Sequence, residues 1–238
     1  MPDNSWRMRA YRLALAHVSP EGGNVVNIST LCRALCRELG ALDVAVTLTS
    51  LEPTDAVLGE ANCTDTYLSD LEVTAAQGPA GEAVARRRPC LLPRLAEAFE
   101  RWPGFVALAG ERGVASVYAF PLGERADPMG ALTIYMAKPD ALDEQQLSLA
   151  RGAAELASGI LLNDRPDVLQ FNSDGWYSAR EGRSEVYQAQ GMVGVELRMA
   201  LPEAIALMRA HAFASGMTLT EVASEIVQGR VSLRSDQA

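Results

Sequence analysis

The stretch Val114–Ala137, which reads VASVYAFPL, GERADP, MGALTIYMA, decides the fold. Val114 to Leu122 and Met129 to Ala137 are strand candidates rich in β-branched and aromatic side chains. Gly123-Glu124-Arg125-Ala126-Asp127-Pro128 joins them with turn-forming residues. Downstream, Leu147, Ala150, Ala154, Ala157 and Leu161 recur at helical spacing, which predicts a helix over 143–162. Upstream, residues 104–112 form a helix candidate between Pro103 and Gly113, preceded by the short apolar segment Cys90-Leu91-Leu92 after Pro89. Glu82 to Arg87 holds no helix breaker and is read as a short helix.

Further towards the N-terminus, strands are expected near Leu71 to Thr74, over Ala56 to Glu60, and over the alternating run from Val44 to Thr49. Amphipathic helices are expected over 8–18 and 27–39. In the second, Ile28, Leu31, Cys32, Leu35, Cys36 and Leu39 repeat every three or four residues, and Gly40 supplies a stop. Helix, strands, short helices, two strands and a closing helix make an α+β order.

Composition narrows the function. The chain has 238 residues, 48% of them hydrophobic, enough for a substantial core. Its N-terminus has no basic segment followed by an apolar run, and no apolar stretch nears the roughly 20 residues that span a bilayer, so a cytoplasmic protein with no membrane partner is expected. Cys32, Cys36, Cys63 and Cys90 form no CxxC pair, so neither a disulfide framework nor a zinc site is expected. Cys32 and Cys36 are read as core thiols. His17 and His211 are the two histidines, too few for a catalytic or metal constellation built on that residue. No cofactor or metal is expected.

The formal charge is −9, which opposes unspecific attraction to a nucleic-acid backbone. Residues 183–238 carry five arginines and six acids, a net −1, so the acidity lies mainly in the larger N-terminal part.

The N-terminal segments resemble a GAF domain. Gly78-Pro79-Ala80-Gly81-Glu82-Ala83-Val84, followed by Arg88-Pro89-Cys90-Leu91-Leu92-Pro93, is similar to the middle of that family. Ala119-Phe120-Pro121-Leu122 and Met129-Gly130-Ala131-Leu132-Thr133-Ile134-Tyr135 resemble its paired late strands, and Asp143-Glu144-Gln145-Gln146-Leu147 its closing helix. The resemblance spans about residues 8–163. It implies a central antiparallel sheet with helices on one face and a pocket for an unidentified small molecule on the other.

Pro166 interrupts the long helix, and residues 166–183 read as a linker between a sensor over 1–165 and a tail over 184–238. Trp176 and Tyr177 are expected to pack against a neighbouring domain, with stacking on a base as the alternative. The tail reads as three helices, over 184–197, 202–214 and 219–228, forming a small all-α bundle. Pro202 suits a first helical position. Thr218 and Glu221 have capping-box spacing, and Leu219, Val222, Ala223, Ile226 and Val227 make one apolar stripe. Gly191 and Gly194 inside the first helix have two readings: close approach of a neighbouring helix, or bare backbone for a ligand or a nucleic-acid loop.

Glu185-Val186-Tyr187-Gln188-Ala189-Gln190-Gly191-Met192-Val193 resembles the opening helix of the ANTAR domain. Leu201-Pro202-Glu203-Ala204-Ile205-Ala206-Leu207-Met208-Arg209 and Leu219-Thr220-Glu221-Val222-Ala223 are similar to its other two. That family binds stem-loops in nascent transcripts and prevents transcription termination. The resemblance therefore implies RNA contact at Ala189, Gln190, Gly191 and Arg209, regulation by the GAF half, and a homodimer. Two positions depart from it: many members have lysine where this chain has Gln190, and an aromatic where it has Ile205. The loss of a lysine removes a phosphate contact.

The alternative reading is a sensor, dimerisation or protein-interaction module whose ANTAR bundle no longer reads RNA. A third is thiol redox chemistry, since a few GAF-fold proteins reduce methionine sulfoxide. It would use Cys63 and Cys90, with Arg86, Arg87 and Arg88 either favouring a thiolate or forming a solvated turn. The expectation is a regulator and not an enzyme.

Overall fold

The computed structural model describes residues 5–16, 26–48, 59–61, 68–124, 126–163 and 174–234, with backbone alone for 5, 59–61, 163 and 174–183. Helix α1 (Ser5–Leu15) is followed by α2 (Ile28–Leu39), which begins with a capping box: the Thr30 amide donates to Asn27 Oδ1 at 2.8 Å and the Asn27 amide to Thr30 Oγ1 at 3.0 Å. Gly40 ends α2 in the left-handed region at φ 62°, as the sequence reading expects.

Strands β1 (Asp43–Leu48), β2 (Gly59–Ala61), β3 (Cys90–Leu92), β4 (Ser116–Glu124) and β5 (Asp127–Met136) form one antiparallel sheet in the order β2-β1-β5-β4-β3. β5 is central. It pairs Ile134 with Tyr118 on one side and with Val44 on the other. Its neighbour β1 comes so close that a Cβ on Gly130 would fall on the Thr47 carbonyl.

Alternation along the strands sorts two cores. Val44, Val46, Tyr118, Phe120, Leu132 and Ile134 point to one face, where α1, α2 and the long helix α6 (Glu144–Asn163) cover them. Gly152 of α6 lets the α1 backbone at Trp6 and Arg7 pack directly against it. Ala45, Val117, Ala119 and Tyr135 point to the other face, joined by Leu68, Leu71, Trp102 and Phe105. Helices α3 (Asp70–Ala75), α4 (Pro79–Arg86) and α5 (Pro103–Glu111) build that side. The face expected to hold a pocket thus carries a second apolar core.

Leu71 to Thr74 forms a helix, not the expected strand. The helix has acids Asp70 and Glu72 in its first turn, favourable for the macrodipole, and buries Leu71 and Thr74 three residues apart. Helical spacing of the two buried residues outweighs the β preference of Val73 and Thr74. α4 also starts earlier than expected, with Pro79 in its first turn. Cys36, expected as a core thiol, is disulfide-bonded, whereas Cys32 and Cys90 are buried and outside any disulfide. Cys63 lies outside the described residues.

The tail is three helices: α7 (Asp174–Leu197), α8 (Leu201–Ser215) and α9 (Leu219–Val227). α7 begins ten residues before the expected Ser184, so the second half of the anticipated linker is helical. Trp176 and Tyr177 fall on that first part, and their side chains lie outside the described residues. Ala189, Val193, Ala204, Met208, Ala212, Val222, Ala223 and Ile226 form the bundle core. The Thr218 capping box is present: Glu221 donates its amide to Thr218 Oγ1 at 3.2 Å, and its carboxylate accepts the Thr218 amide at 2.6 Å.

The sheet predicts a severe test at Gly130. Gly130→Ala must push β1 away from β5, and should lower unfolding stability by about 1–3 kcal/mol in a denaturant titration. An unchanged midpoint would show that the two strands yield without cost.

Candidate nucleic-acid interface

The four residues expected at an RNA surface are placed differently from one another. Ala189 is fully buried in the bundle core, so it presents no surface and instead supports the helix that carries its neighbours. Gln190 is half-buried and its Nε2 donates to the Leu201 carbonyl at 2.8 Å, tying α7 to the first residue of α8. Gly191 faces open space: a Cβ built there meets no heavy atom within 4 Å. Gly194, by contrast, has the Met199 carbonyl and the Leu201 side chain at 3.4 and 3.5 Å from such a Cβ. The two glycines therefore divide between the two readings of the sequence. Gly194 serves close packing, and Gly191 serves nothing within the bundle although it costs helix stability.

Arg209 lies eight residues beyond Leu201 along α8, about 12 Å by helical rise. It is half-buried and turned towards the sheet-bearing half, where its Nε donates to the Val73 carbonyl of α3 at 3.2 Å. Burial lowers its pKa, with no carboxylate among the described residues offsetting the effect. Gln190 and Arg209 are thus not brought to one point. Ile205, where an aromatic is common in the resembled family, packs against the bundle core.

Arg198 escaped the sequence reading. It follows the end of α7 in the left-handed region at φ 54°, is exposed, and has no ion-pair partner among the described residues. Arg230 and Arg234 pair with Glu225 and Glu196 at 2.6 and 3.0 Å, so they are less available to a phosphate. The signal that could have exposed Arg198 is its position between a helix end and Pro202, where the chain must turn outward.

In the sheet-bearing half, α3 turns Glu72 inward. Its Oε2 accepts the Ala80 amide at 2.8 Å, and its Oε1 accepts the Tyr135 hydroxyl at 3.1 Å. Ala80 lies in the first turn of α4, so Glu72 caps that helix from outside it. A Cβ on Gly78 would collide with the Glu72 side chain, which is why the loop between the two helices needs glycine there. Although part of Glu72 meets solvent, its carboxylate is held among buried Tyr135, Gly78 and Ala80. Desolvation outweighs these hydrogen bonds and raises its pKa to about 7.

Cys90 stands beside Glu82 and Arg101, with its Sγ 3.7 Å from Arg101 Nη2. Burial, followed by the charge of Glu82, pushes the thiol up to about 11. The neighbouring arginine run does not create a thiolate: Arg86 pairs with Glu82 at 3.4 Å, and Arg87 and Arg88 are exposed. Arg101 also pairs with Glu82, at 3.2 Å, and lies over the Trp102 ring. A cavity of about 620 Å³ opens between the end of α4, β4 and α6, with Arg7, Arg87, Arg88 and Arg151 in its lining. Among the described residues no group of three His, Cys, Asp or Glu could hold a metal ion. No helix there is long and apolar enough to cross a membrane.

A raised carboxylate pKa favours folding in the protonated form. The contribution of Glu72 is fully present below about pH 4.5 and is lost as pH rises through about 7. Glu72→Gln keeps an acceptor for Ala80 and can donate its amide to the Tyr135 oxygen. The variant should gain up to about 3 kcal/mol over the wild type between roughly pH 5 and 8. Parallel pH dependence of the two proteins in thermal melts would contradict this.

Comparison with known proteins follows the division seen in the structure. A GAF domain model matches residues 27–161, and an ANTAR domain model matches residues 177–227. Among solved structures, the GAF domain of an Acinetobacter phosphoenolpyruvate-protein phosphotransferase is 15% identical, with a TM-score of 0.47 and coverage of 67% of this chain and 92% of that one. The fRMsr of Staphylococcus aureus, in complex with substrate, is 14% identical, with a TM-score of 0.42 and coverage of 65% and 95%. A comparison with curated proteins gives no match. The sheet with its helices and the three-helix tail carry the two matched segments in order, and the chain belongs to the GAF domain family, with a C-terminal ANTAR domain.

Proposed function

We propose that this chain is a cytoplasmic, signal-responsive regulator that binds RNA stem-loops in nascent transcripts through its ANTAR bundle and prevents transcription termination. The observation that carries the reading is Gly191, a helix-interior glycine whose open side no packing explains. Bare backbone at that point lets a loop base or a phosphate come within hydrogen-bond reach of neighbouring side chains. Gln190 and the exposed Arg198 flank the approach in sequence, and Arg209 supplies a further cation when it leaves Val73. Ala189 acts from beneath, by setting the helix in the bundle.

The GAF domain supplies the signal, through an unidentified small molecule or through self-association. Exposed Tyr187, Met192 and Val195 along α7 support a homodimer. Catalysis is not part of the reading: burial and the charge of Glu82 push the Cys90 thiol up to about 11, away from the thiolate that a nucleophile needs.

A second reading, an interaction module with a bundle that no longer binds RNA, is favoured by the engagement of both Gln190 and Arg209 in internal hydrogen bonds. Titration of the full chain with tandem RNA hairpins separates the two. Gly191→Ala should stabilise α7 by about 1 kcal/mol and weaken RNA binding by roughly tenfold, equivalent to about 1.4 kcal/mol. Full affinity in that variant would move the RNA surface off α7, and no binding by the wild type or any variant would leave the interaction module standing.

A further inference from the structure

α3 is held from two sides by successive residues. Leu71 is buried in the GAF core, and Glu72 binds Ala80 and Tyr135 there. Val73 packs against the bundle core, and its carbonyl receives Arg209. Thr74 Oγ1 donates to the Asp70 carbonyl at 2.8 Å and accepts the Leu219 amide at 2.9 Å. Leu219 opens α9, so its N–H is one of the orphan donors of a helix start. A residue of the other domain satisfies it. Arg112, just after α5, adds a hydrogen bond to the Gly216 carbonyl at 3.4 Å and stands 3.9 Å from the Glu221 carboxylate.

Arg209 is poorly served by this arrangement. Its guanidinium is partly desolvated, and the partner it gains is a neutral carbonyl. A buried cation without an opposing charge is unfavourable. A phosphate offers it a charge-assisted, two-pronged bond instead. At α3 the closed contact rests on a few hydrogen bonds and the partial burial of Val73, while α7 separately lies against β2, so a phosphate has only the α3 contact to displace.

We propose that α3 of the GAF domain is a clamp that sequesters Arg209, so that interdomain closure and RNA binding exclude each other. This rests on the RNA-binding reading above and adds its regulation. Any event that shifts α3, including a change at Glu72 or Tyr135 on its inner side, alters the population able to take RNA.

Two full-length variants test the clamp without touching the RNA-facing residues. Thr74→Val removes the acceptor for Leu219, and Arg112→Glu sets like charges against Glu221. Amide exchange at Leu219 reports closure, and titration with a tandem-hairpin RNA reports binding. The expected result is faster exchange at Leu219 in both variants, RNA affinity raised by about fivefold or more, and faster Leu219 exchange in the wild type when RNA is added. RNA bound equally by the wild type and by opened variants would overturn the clamp and leave the RNA reading intact. Unchanged Leu219 exchange in both variants would also overturn the clamp. Opened variants that bind no RNA would overturn the RNA reading, and the clamp with it.

Discussion

Alternation along β5 is the constraint on which the arrangement depends. The strand lies at the centre of the sheet, pairs on both sides, and sends Leu132 and Ile134 into one core and Tyr135 into the other. A shift of one residue would exchange the two sets and withdraw Leu132 and Ile134 from one core and Tyr135 from the other. Gly130 enforces the position at one end, because the approach of β1 there leaves no room for a side chain. The cover of α1, α2 and α6 on one face, and of α3, α4 and α5 on the other, follows from this sorting.

Tyr135 then links the sheet to the part of the molecule with consequences for function. Its hydroxyl reaches Glu72, and Glu72 reaches the first turn of α4. The carboxylate accepts hydrogen bonds from Ala80 and Tyr135 that favour its charge, yet desolvation still prevails and raises its pKa to about 7. A structural cap needs no such compromise, because a neutral side chain would satisfy the same donors. Glu72 thereby ties the GAF interior to α3, the helix that also meets the bundle.

The bundle shows the same economy with charge. It is close to neutral overall, two of its arginines are paired with glutamates, and Arg209 is turned inward. Little long-range attraction for RNA remains, so the proposed RNA binding relies on short-range contact near Gly191 and on release of Arg209. This is a different balance from a lysine-rich RNA surface, and in the proposed function it ties affinity to conformation.

Much of the molecule was legible in the sequence. The β4–β5 pair, α2 with its glycine stop, α6, and the Thr218 capping box all follow from local periodicity and end signals that act over three or four residues. The division into GAF and ANTAR segments was likewise carried by short motifs. The tertiary structure decided what local patterns do not encode. Leu71 to Thr74 has β-forming residues, but burial of Leu71 and Thr74 and the reach of Glu72 to Ala80 make it a helix. Gly191 and Gly194 look alike in sequence, and the surrounding helices alone separate the open one from the packed one. The resemblance implies RNA contact at Arg209, but sequence spacing says nothing of a helix more than a hundred residues earlier. Its place against Val73 arises from packing between domains, where the burial of each residue depends on partners distant in the chain.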